Sequence, residues 1–220
     1  MKVIITGATG MVGKGVLLEC LDSSAITEVL SISRSSLELN HPKLKELIHK
    51  DFSSFDSVGE KLKGYDAAYL CMGVSSAGKS EEEFKKYTYD YTMSLANILA
   101  GEKEKMVVTY VSGRGTDSSE KGSTMWARVK GKVENDILSI GFTGAYMYRP
   151  NAIIPLRGIK SKTKMYQFMY DYFLWAIKIM KRLNPESIVN TTQIGHSMIH
   201  LTQKGYGKKV LESKDILETA

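Results

Sequence analysis

The chain has 220 residues, a length that suits one α/β domain with a full core, and its 43% hydrophobic and 25% charged residues exclude a disordered or fibrous chain. The formal charge of +6 is spread among carboxylates without a basic run, so we expect no nucleic-acid partner. The positive balance favours anionic small molecules, although a solvated surface would carry the same balance.

Short β-forming runs alternate with helical patterns along most of the chain. The predicted strands cover residues 2–6, 28–33, 44–49, 67–72, 106–112 and 143–148. The predicted helices cover residues 12–21, 55–62, 80–99 and 124–139. Near-continuous apolar runs suit strands buried on both faces, so the alternation predicts an α/β fold with a doubly wound parallel sheet in three layers, the Rossmann fold. The carboxyl ends of its strands should line one ligand-binding edge.

After Pro150 the alternation becomes irregular. An irregular stretch at 151–162 precedes a predicted amphipathic helix at 165–183, and a short strand at 188–190 and a helix at 192–201 follow. We interpret residues 151–203 as a substrate cap within a single domain of residues 1–220. The sequence leaves the small-molecule substrate and the oligomeric state open, with a homodimer as one option.

Composition and the chain start constrain the compartment. Cys20 and Cys71 have no spacing for a disulfide framework or a metal cage, and we expect both in the core. The N-terminus enters a strand directly, without the apolar segment of a signal peptide, which predicts a cytoplasmic protein. The apolar stretch at 165–183 contains charged residues such as Asp171, so no membrane span is predicted.

A glycine-rich turn separates the first predicted strand from the first predicted helix. Glycines at this place let backbone N–H groups approach a pyrophosphate at the helix N-terminus. A glycine trio alone is also compatible with a simple tight turn, but its place in a βαβ series favours a dinucleotide. The predicted cofactor contacts of the turn are Gly7, Thr9, Gly10, Met11, Val12 and Gly13.

The end of the second strand indicates which dinucleotide binds. NAD-binding sites usually place a carboxylate there to hold the ribose 2′-hydroxyl, whereas residues 31–36 contain none. Arg34 offers a guanidinium fork and Ser35 a hydroxyl, both suited to a 2′-phosphate. NADP is therefore predicted over NAD, with a solvated loop arginine as the alternative interpretation of Arg34.

Several short motifs follow the glycine turn in a recognisable order. They are Arg34, Asp51-Phe52, Cys71-Met72-Gly73, Ser112-Gly113, Lys130 and Arg149-Pro150. In this order the chain resembles the atypical short-chain dehydrogenase/reductase superfamily over nearly its whole length. It is most similar to the Tat-interacting-protein group of NADPH-binding oxidoreductases, with nucleoside-diphosphate-sugar epimerase-like proteins as the wider circle.

The resemblance implies further cofactor contacts. Asp51 and Phe52 would lie beside the adenine, although Asp51 is equally suited to cap the helix that follows. Gly73 would pass under the cofactor, although a strand-end turn would also use a glycine. The other residues that the resemblance assigns to cofactor contact are Cys71, Met72, Pro150 and Asn151.

The catalytic residues that the resemblance implies are a serine after the fifth strand and a Tyr-x-x-x-Lys pair on the next helix. Ser112 and Lys130 match, but Trp126 stands at the tyrosine position. A phenol can pass the proton that accompanies hydride transfer, whereas an indole N–H only donates a hydrogen bond. Lys130 could still hold the ribose. Without the resemblance, the sequence alone would favour a solvated helix lysine at Lys130 and an ordinary strand-end hydroxyl at Ser112.

Two hypotheses follow. In the first, the protein is an NADP(H)-dependent oxidoreductase in which Ser112 polarises a substrate carbonyl, Lys130 holds the ribose, and the proton comes from water or an unidentified group. In the second, it binds NADP(H) without efficient turnover and acts as a sensor or a partner-binding protein, which Trp126 favours.

Overall fold

The computed structural model describes residues 1–159 and 185–220. The predicted amphipathic helix at 165–183 lies outside the described residues. The described part confirms the predicted α/β fold: a parallel sheet with helices on both faces.

Within the described residues, seven parallel strands form the main sheet in the order β3-β2-β1-β4-β5-β6-β9. A second sheet pairs β7 with β8 in parallel. The strands are β1 (Lys2–Thr6), β2 (Glu28–Ser33), β3 (Leu44–Ile48), β4 (Ala67–Leu70), β5 (Val107–Val111), β6 (Gly144–Arg149), β7 (Ala152–Ile154), β8 (Ile188–Asn190) and β9 (Val210–Glu212). Strand β4 follows β3 along the chain but pairs with β1 at the centre of the sheet. The strand order therefore reverses between β1 and β4, and α/β sheets bind ligands at such a switch point.

Helices cover both faces of the sheet. They are α1 (Met11–Asp22), α2 (Glu81–Lys85), α3 (Tyr91–Leu99), α4 (Met125–Ile140), α5 (Thr191–Lys204) and α6 (Ser213–Glu218). A π-helical turn at Lys86–Asp90 joins α2 to α3 inside the predicted helix at 80–99. The predicted helix at 55–62 is a 3₁₀ segment, Asp56–Leu62, the tighter form in which short connectors often fold.

The core lies on both faces of the sheet because side chains alternate along each strand. In β1, Ile4 belongs to the cluster under α3 and α4, whereas Val3 and Ile5 belong to the cluster under α1 and α5. All three side chains are fully buried. This alternation explains why the buried strands read as continuous apolar runs in the sequence.

Glycines allow α5 to pack closely along α1. A Cβ atom on Gly15 would overlap the Thr191 side chain, and one on Gly195 would lie 2.7 Å from Cγ of Glu19. Helix α5 therefore belongs to the helical layer beside α1, although all but its last residue falls within the predicted cap at 151–203.

The last two elements were not predicted. Strand β9 has three residues and pairs with β6 at the sheet edge, with Tyr148 opposite Leu211. Helix α6 follows at once and begins with a capping box between Glu212 and Asp215. Such short elements depend on distant partners, so local periodicity does not reveal them.

Candidate functional site: the sheet edge at the glycine turn

The glycine turn has a geometry that only glycine permits at two positions. Gly7 adopts φ +73°, and a Cβ atom there would lie 2.5 Å from the carbonyl oxygen of Cys71. A Cβ atom on Gly13 would overlap the carbonyl of Gly7. The turn is closed by a 2.8 Å hydrogen bond from the Gly10 amide to the Gly7 carbonyl. Helix α1 therefore starts in direct contact with the end of β1.

The N-terminus of α1 lacks the usual internal cap. Gly10 is the N-cap residue, no side chain in the described part of the protein accepts a hydrogen bond there, and the first turn contains no acidic residue. The first amides of a helix need acceptors, and they carry the positive end of the helix dipole. A pyrophosphate would satisfy both needs, so this cradle fits a dinucleotide.

The strands that surround the turn place the other predicted residues at the same edge. β1, β4, β5 and β6 are neighbours and parallel. Thr6 pairs with Leu70, and Val111 pairs with Tyr148. The residues that follow these strand ends, including Gly7, Cys71, Ser112 and Pro150, consequently lie along one edge of the sheet. Sequence reasoning predicted this clustering from the parallel sheet alone.

The segment after β4 begins with the half-buried Cys71 and continues to Gly73, which borders open space in the part of the protein that the structure describes. Cys71 is half-buried, and burial raises the pKa of its thiol to about 12, so it is not a reactive thiolate. Met72 packs in part against the core. No atom of the described residues lies within 4 Å of the potential Cβ position of Gly73, so that part of the chain leaves open space there.

The loop after β2 presents Arg34 to solvent. Ser33 Oγ donates to the Ser35 carbonyl at 2.6 Å, and Glu46 accepts hydrogen bonds from the Ser36 hydroxyl and the Leu37 amide. Arg34 is exposed and forms no ion pair with any residue that the structure describes. Its guanidinium is thus available to an anionic ligand, while the Ser36 hydroxyl is already engaged.

Asp51 and Phe52 differ in what they can offer a base. Asp51 is exposed and accepts from the Ser53 hydroxyl and amide, and these hydrogen bonds lower its pKa. It does not cap the 3₁₀ segment, whose N-cap residue is Phe55. Phe52 is 4% exposed and packs edge-on against Phe55, with ring centroids 5.3 Å apart. Its contact with an adenine would therefore use backbone atoms.

Ser112 lies after β5 and is 5% exposed. Its amide donates to the Tyr148 carbonyl at 2.9 Å. Its hydroxyl contacts both the Glu134 carboxylate and the same Tyr148 carbonyl. A hydroxyl has one proton, and both partners only accept. To polarise a substrate carbonyl, Ser112 would have to give up its hydrogen bond to Glu134.

Glu134 is the residue of this site that sequence reasoning missed. It lies on α4, is 1% exposed, and forms an ion pair with Arg149. The only sequence signal was its position four residues after Lys130, which places both on one helix face. A glutamate in an amphipathic helix is ordinarily a surface residue, so the pattern alone does not identify it.

The Lys130 side chain is hydrogen-bonded at the carboxyl end of β5. Its Nζ donates to the backbone carbonyl of Ser112, and the residue is half-buried. Burial lowers its pKa to about 8, and the charge of Glu134 opposes that shift. It is therefore not the freely solvated helix lysine that the sequence allowed as an alternative.

Trp126 lies in the first turn of α4, one turn before Lys130. Its ring is 3.4 Å from the potential Cβ position of Gly115, which adopts φ +86°. The half-buried indole thus packs on the loop that follows Ser112 and Gly113. The predicted tyrosine position is occupied by a packed ring that has no exchangeable proton except the indole N–H.

Pro150 and Asn151 follow β6. Pro150 is buried, and its carbonyl accepts from the Arg114 amide at 3.0 Å. Asn151 is exposed, with its amide donating to Ser213 Oγ at 3.0 Å. The loop after β5 and helix α6 therefore hold this segment at the carboxyl end of β6. The contact of Pro150 and Asn151 with a cofactor, which the resemblance implies, stays a prediction.

Residues 1–159 and 185–220 contain neither a membrane-spanning helix nor a metal-binding cluster. No helix in these ranges is long and apolar enough to cross a membrane. No group of three or more His, Cys, Asp or Glu side chains in the same ranges is arranged to hold a metal ion.

Comparisons with known proteins agree with this geometry. The sequence model of the NAD dependent epimerase/dehydratase family matches residues 3–116, from β1 past Ser112. Protein FMP52, mitochondrial, of Candida albicans is 29% identical over 158 residues, which are 70% of this chain and 68% of that protein. Protein HTATIP2 of Rattus norvegicus is 26% identical over 155 residues, 70% of this chain and 63% of that protein.

The fold has solved counterparts. The crystal structure of the Bordetella bronchiseptica enzyme WbmF in complex with NAD+ and UDP superposes with a TM-score of 0.71 at 13% identity. The match covers 96% of this chain and 71% of the WbmF chain. This likeness shows the fold, and the relatives include the Tat-interacting-protein group that the sequence motifs indicated. The chain therefore belongs to the NAD dependent epimerase/dehydratase family and has the fold of the short-chain dehydrogenases/reductases.

Proposed function

We propose that the protein is an NADP(H)-binding oxidoreductase of the atypical short-chain dehydrogenase/reductase class, acting on a small carbonyl or hydroxyl compound. The observation that carries the proposal is the uncapped N-terminus of α1 above a turn that Gly7 and Gly13 keep free of side chains. Backbone amides at this place bind pyrophosphate. The family match supports a nicotinamide dinucleotide over other phosphates.

The preference for NADP over NAD rests on Arg34. The guanidinium is exposed at the end of β2, where the 2′ substituent of the adenosine ribose would lie. An arginine fork binds a phosphate through two charge-assisted hydrogen bonds, whereas a 2′-hydroxyl needs an acceptor. NADP(H) would supply hydride transfer when bound.

The remaining residues have more limited roles. Lys130 would donate to the ribose hydroxyls from its place beside the Ser112 carbonyl. Ser112 would contact the substrate carbonyl only after leaving Glu134. The proton would come from water or from a group not yet identified. The loss of a positioned acid/base residue typically costs about 10²–10⁴ in rate, so turnover would be slow.

The alternative is an NADP(H)-binding protein without efficient turnover, a sensor or a partner-binding protein. Two observations favour it. Trp126 occupies the tyrosine position, and the Ser112 hydroxyl is already committed to Glu134 and Tyr148. The first removes a residue for proton transfer and the second limits polarisation of a substrate carbonyl. Neither affects the glycine turn that would bind the dinucleotide.

The test begins with binding. NADPH and NADH are titrated while tryptophan fluorescence is recorded, with Gly13→Ala as the variant in which the cradle is blocked. Nicotinamide absorbance is then followed against a panel of carbonyl substrates. Binding with turnover supports the oxidoreductase, and binding without turnover supports the alternative. Absence of binding for both dinucleotides contradicts both proposals.

We also propose a cytoplasmic protein whose ligand partners are small molecules and whose assembly, if any, is a homodimer. The relatives named FMP52 are mitochondrial proteins by their names, which makes the location a direct question for experiment. Fractionation of cells that produce the tagged chain, followed by light scattering of the purified protein, tests both statements.

A further inference from the structure

A buried charged network lies at the carboxyl ends of β5 and β6, beside the candidate site. The Glu134 carboxylate accepts from Arg149, whose Nε lies 3.1 Å from each carboxylate oxygen. Arg149 also donates to Ser118 Oγ at 2.6 Å. Glu134 is 1% exposed, and its carboxylate forms an ion pair with the Arg149 guanidinium inside the protein. The pair joins α4 to β6.

The network reaches Lys130 by two routes. The first is a chain of hydrogen bonds, because the Ser112 hydroxyl donates to Glu134 and the Ser112 carbonyl accepts from Lys130. The second is electrostatic: Glu134 and Lys130 are four residues apart on α4 and therefore on one helix face, so the carboxylate charge acts on the ammonium without an ion pair between them. Both routes end at the same ammonium group.

Resting on the proposed function, we propose that Glu134 is a positioning residue of the cofactor site, which holds the Lys130 side chain at the strand end and keeps it an ammonium. The neighbouring charges support this role. Glu134 on α4 is the charge that acts on Lys130 within the described part of the chain, and Arg149 on β6 is bound to Glu134. Tyr110 on β5 stays neutral, because burial and the charge of Glu134 raise its pKa.

The physical consequence concerns protonation. Burial lowers the pKa of Lys130 to about 8, and Glu134 opposes this. Without the carboxylate, burial would act alone and Lys130 would lose its proton at a lower pH. An ion pair that served only to hold α4 against β6 would alter stability and leave the titration of Lys130 in place.

The test is an NMR titration of the Lys130 side chain in the full chain, with its signal assigned through Lys130→Arg. In Glu134→Gln the midpoint should fall by about one pH unit, the lower end of the effect of an adjacent opposite charge. The matched control Glu104→Gln makes the same chemical change at an exposed loop position and should leave the midpoint unchanged. An unchanged midpoint in folded Glu134→Gln overturns the proposal.

A second variant guards against misfolding, since Glu134→Gln leaves Arg149 without its counterion. The double variant Glu134→Gln/Arg149→Met removes both charges and leaves no unpaired ion. Its Lys130 midpoint should fall as well, and a wild-type midpoint in this variant also contradicts the proposal. In Ser112→Ala, which keeps the carboxylate, the midpoint should stay nearer to the wild-type value.

The Lys130 titration and the cofactor-binding experiment test the two proposals separately. If the wild-type protein binds neither NADPH nor NADH, the proposed function falls, while the midpoint still shows whether Glu134 controls Lys130. If NADPH binds, its affinity should decline as the pH rises through the Lys130 midpoint, because the ammonium favours the anionic ligand. In Glu134→Gln the decline should begin at a lower pH, and an identical pH profile would count against the positioning role.

Discussion

A Cβ atom on Gly13 would overlap the carbonyl oxygen of Gly7, so the first turn of α1 is packed directly on the end of β1. We predict that Gly13→Ala lowers the free energy of unfolding by about 1–3 kcal/mol, the usual cost of overpacking, and abolishes dinucleotide binding. Urea denaturation and a fluorescence titration measure the two effects.

The control for this substitution is Gly101→Ala. Gly101 lies in a 3₁₀ turn, and none of residues 1–159 and 185–220 places an atom within 4 Å of its potential Cβ position. The same added methyl should there leave stability and binding nearly unchanged. Wild-type affinity in a folded Gly13→Ala protein would contradict the placement of the cofactor at this turn.

Arg34 should determine cofactor choice. Arg34→Ala should weaken NADPH binding by about 10–100-fold, as expected for losing charge-assisted hydrogen bonds of about 1.5–3 kcal/mol, and should change NADH binding little. Isothermal titration calorimetry with each dinucleotide gives the ratio. Lys61→Ala, at an exposed position in the 3₁₀ segment, serves as the charge control. Equal losses for NADPH and NADH would remove the 2′-phosphate argument.

Trp126 should limit catalysis. In Trp126→Tyr a phenol would stand one turn before Lys130, and we predict a gain of up to about 10²-fold in carbonyl reduction, the lower end of acid/base catalysis. The rate is followed through nicotinamide absorbance. Trp126→Phe restores no proton donor and should bring no gain. A Trp126→Tyr protein that binds NADPH without any gain would count against this assignment of the catalytic position.

Asp215 should make stability depend on pH in the acidic range. Burial opposes its ionisation, but hydrogen bonds from Lys208 and the Glu212 amide outweigh burial and lower its pKa. A carboxyl group with a lowered folded-state pKa stabilises the fold above its unfolded-state pKa, and this contribution is lost as the pH falls through the folded-state pKa.

The variant for this prediction is Asp215→Asn. It should lower the free energy of unfolding by about 1–3 kcal/mol at neutral pH, the cost of breaking buried hydrogen bonds to a charged group. The difference from wild type should shrink below the ordinary aspartate pKa of about 3.9. Urea denaturation across the pH range measures it, with Glu104→Gln as the exposed control. A difference independent of pH would exclude the ionised carboxylate as the cause.

The chain order of strands and helices could be predicted because it depends on local pattern. The apolar run from Val107 to Val111 and the glycines of the first turn each report a requirement that neighbouring residues impose. Predicted element ends differ from the observed ones by a few residues, since hydrogen-bond partners decide where a strand stops. The strand β4, for example, ends at Leu70 and not at Met72.

The sequence by itself determined the parallel sheet, the glycine cradle and the missing tyrosine, because each is written in residue type and spacing along one stretch of chain. Only the tertiary structure decided that Ser112 is bound to Glu134, that Arg149 forms an ion pair with this carboxylate, and that α5 packs against α1 through Gly15 and Gly195. These contacts join residues distant in sequence. Their partners are selected by the folded geometry and by the cost of leaving a buried charge alone, neither of which a local pattern contains.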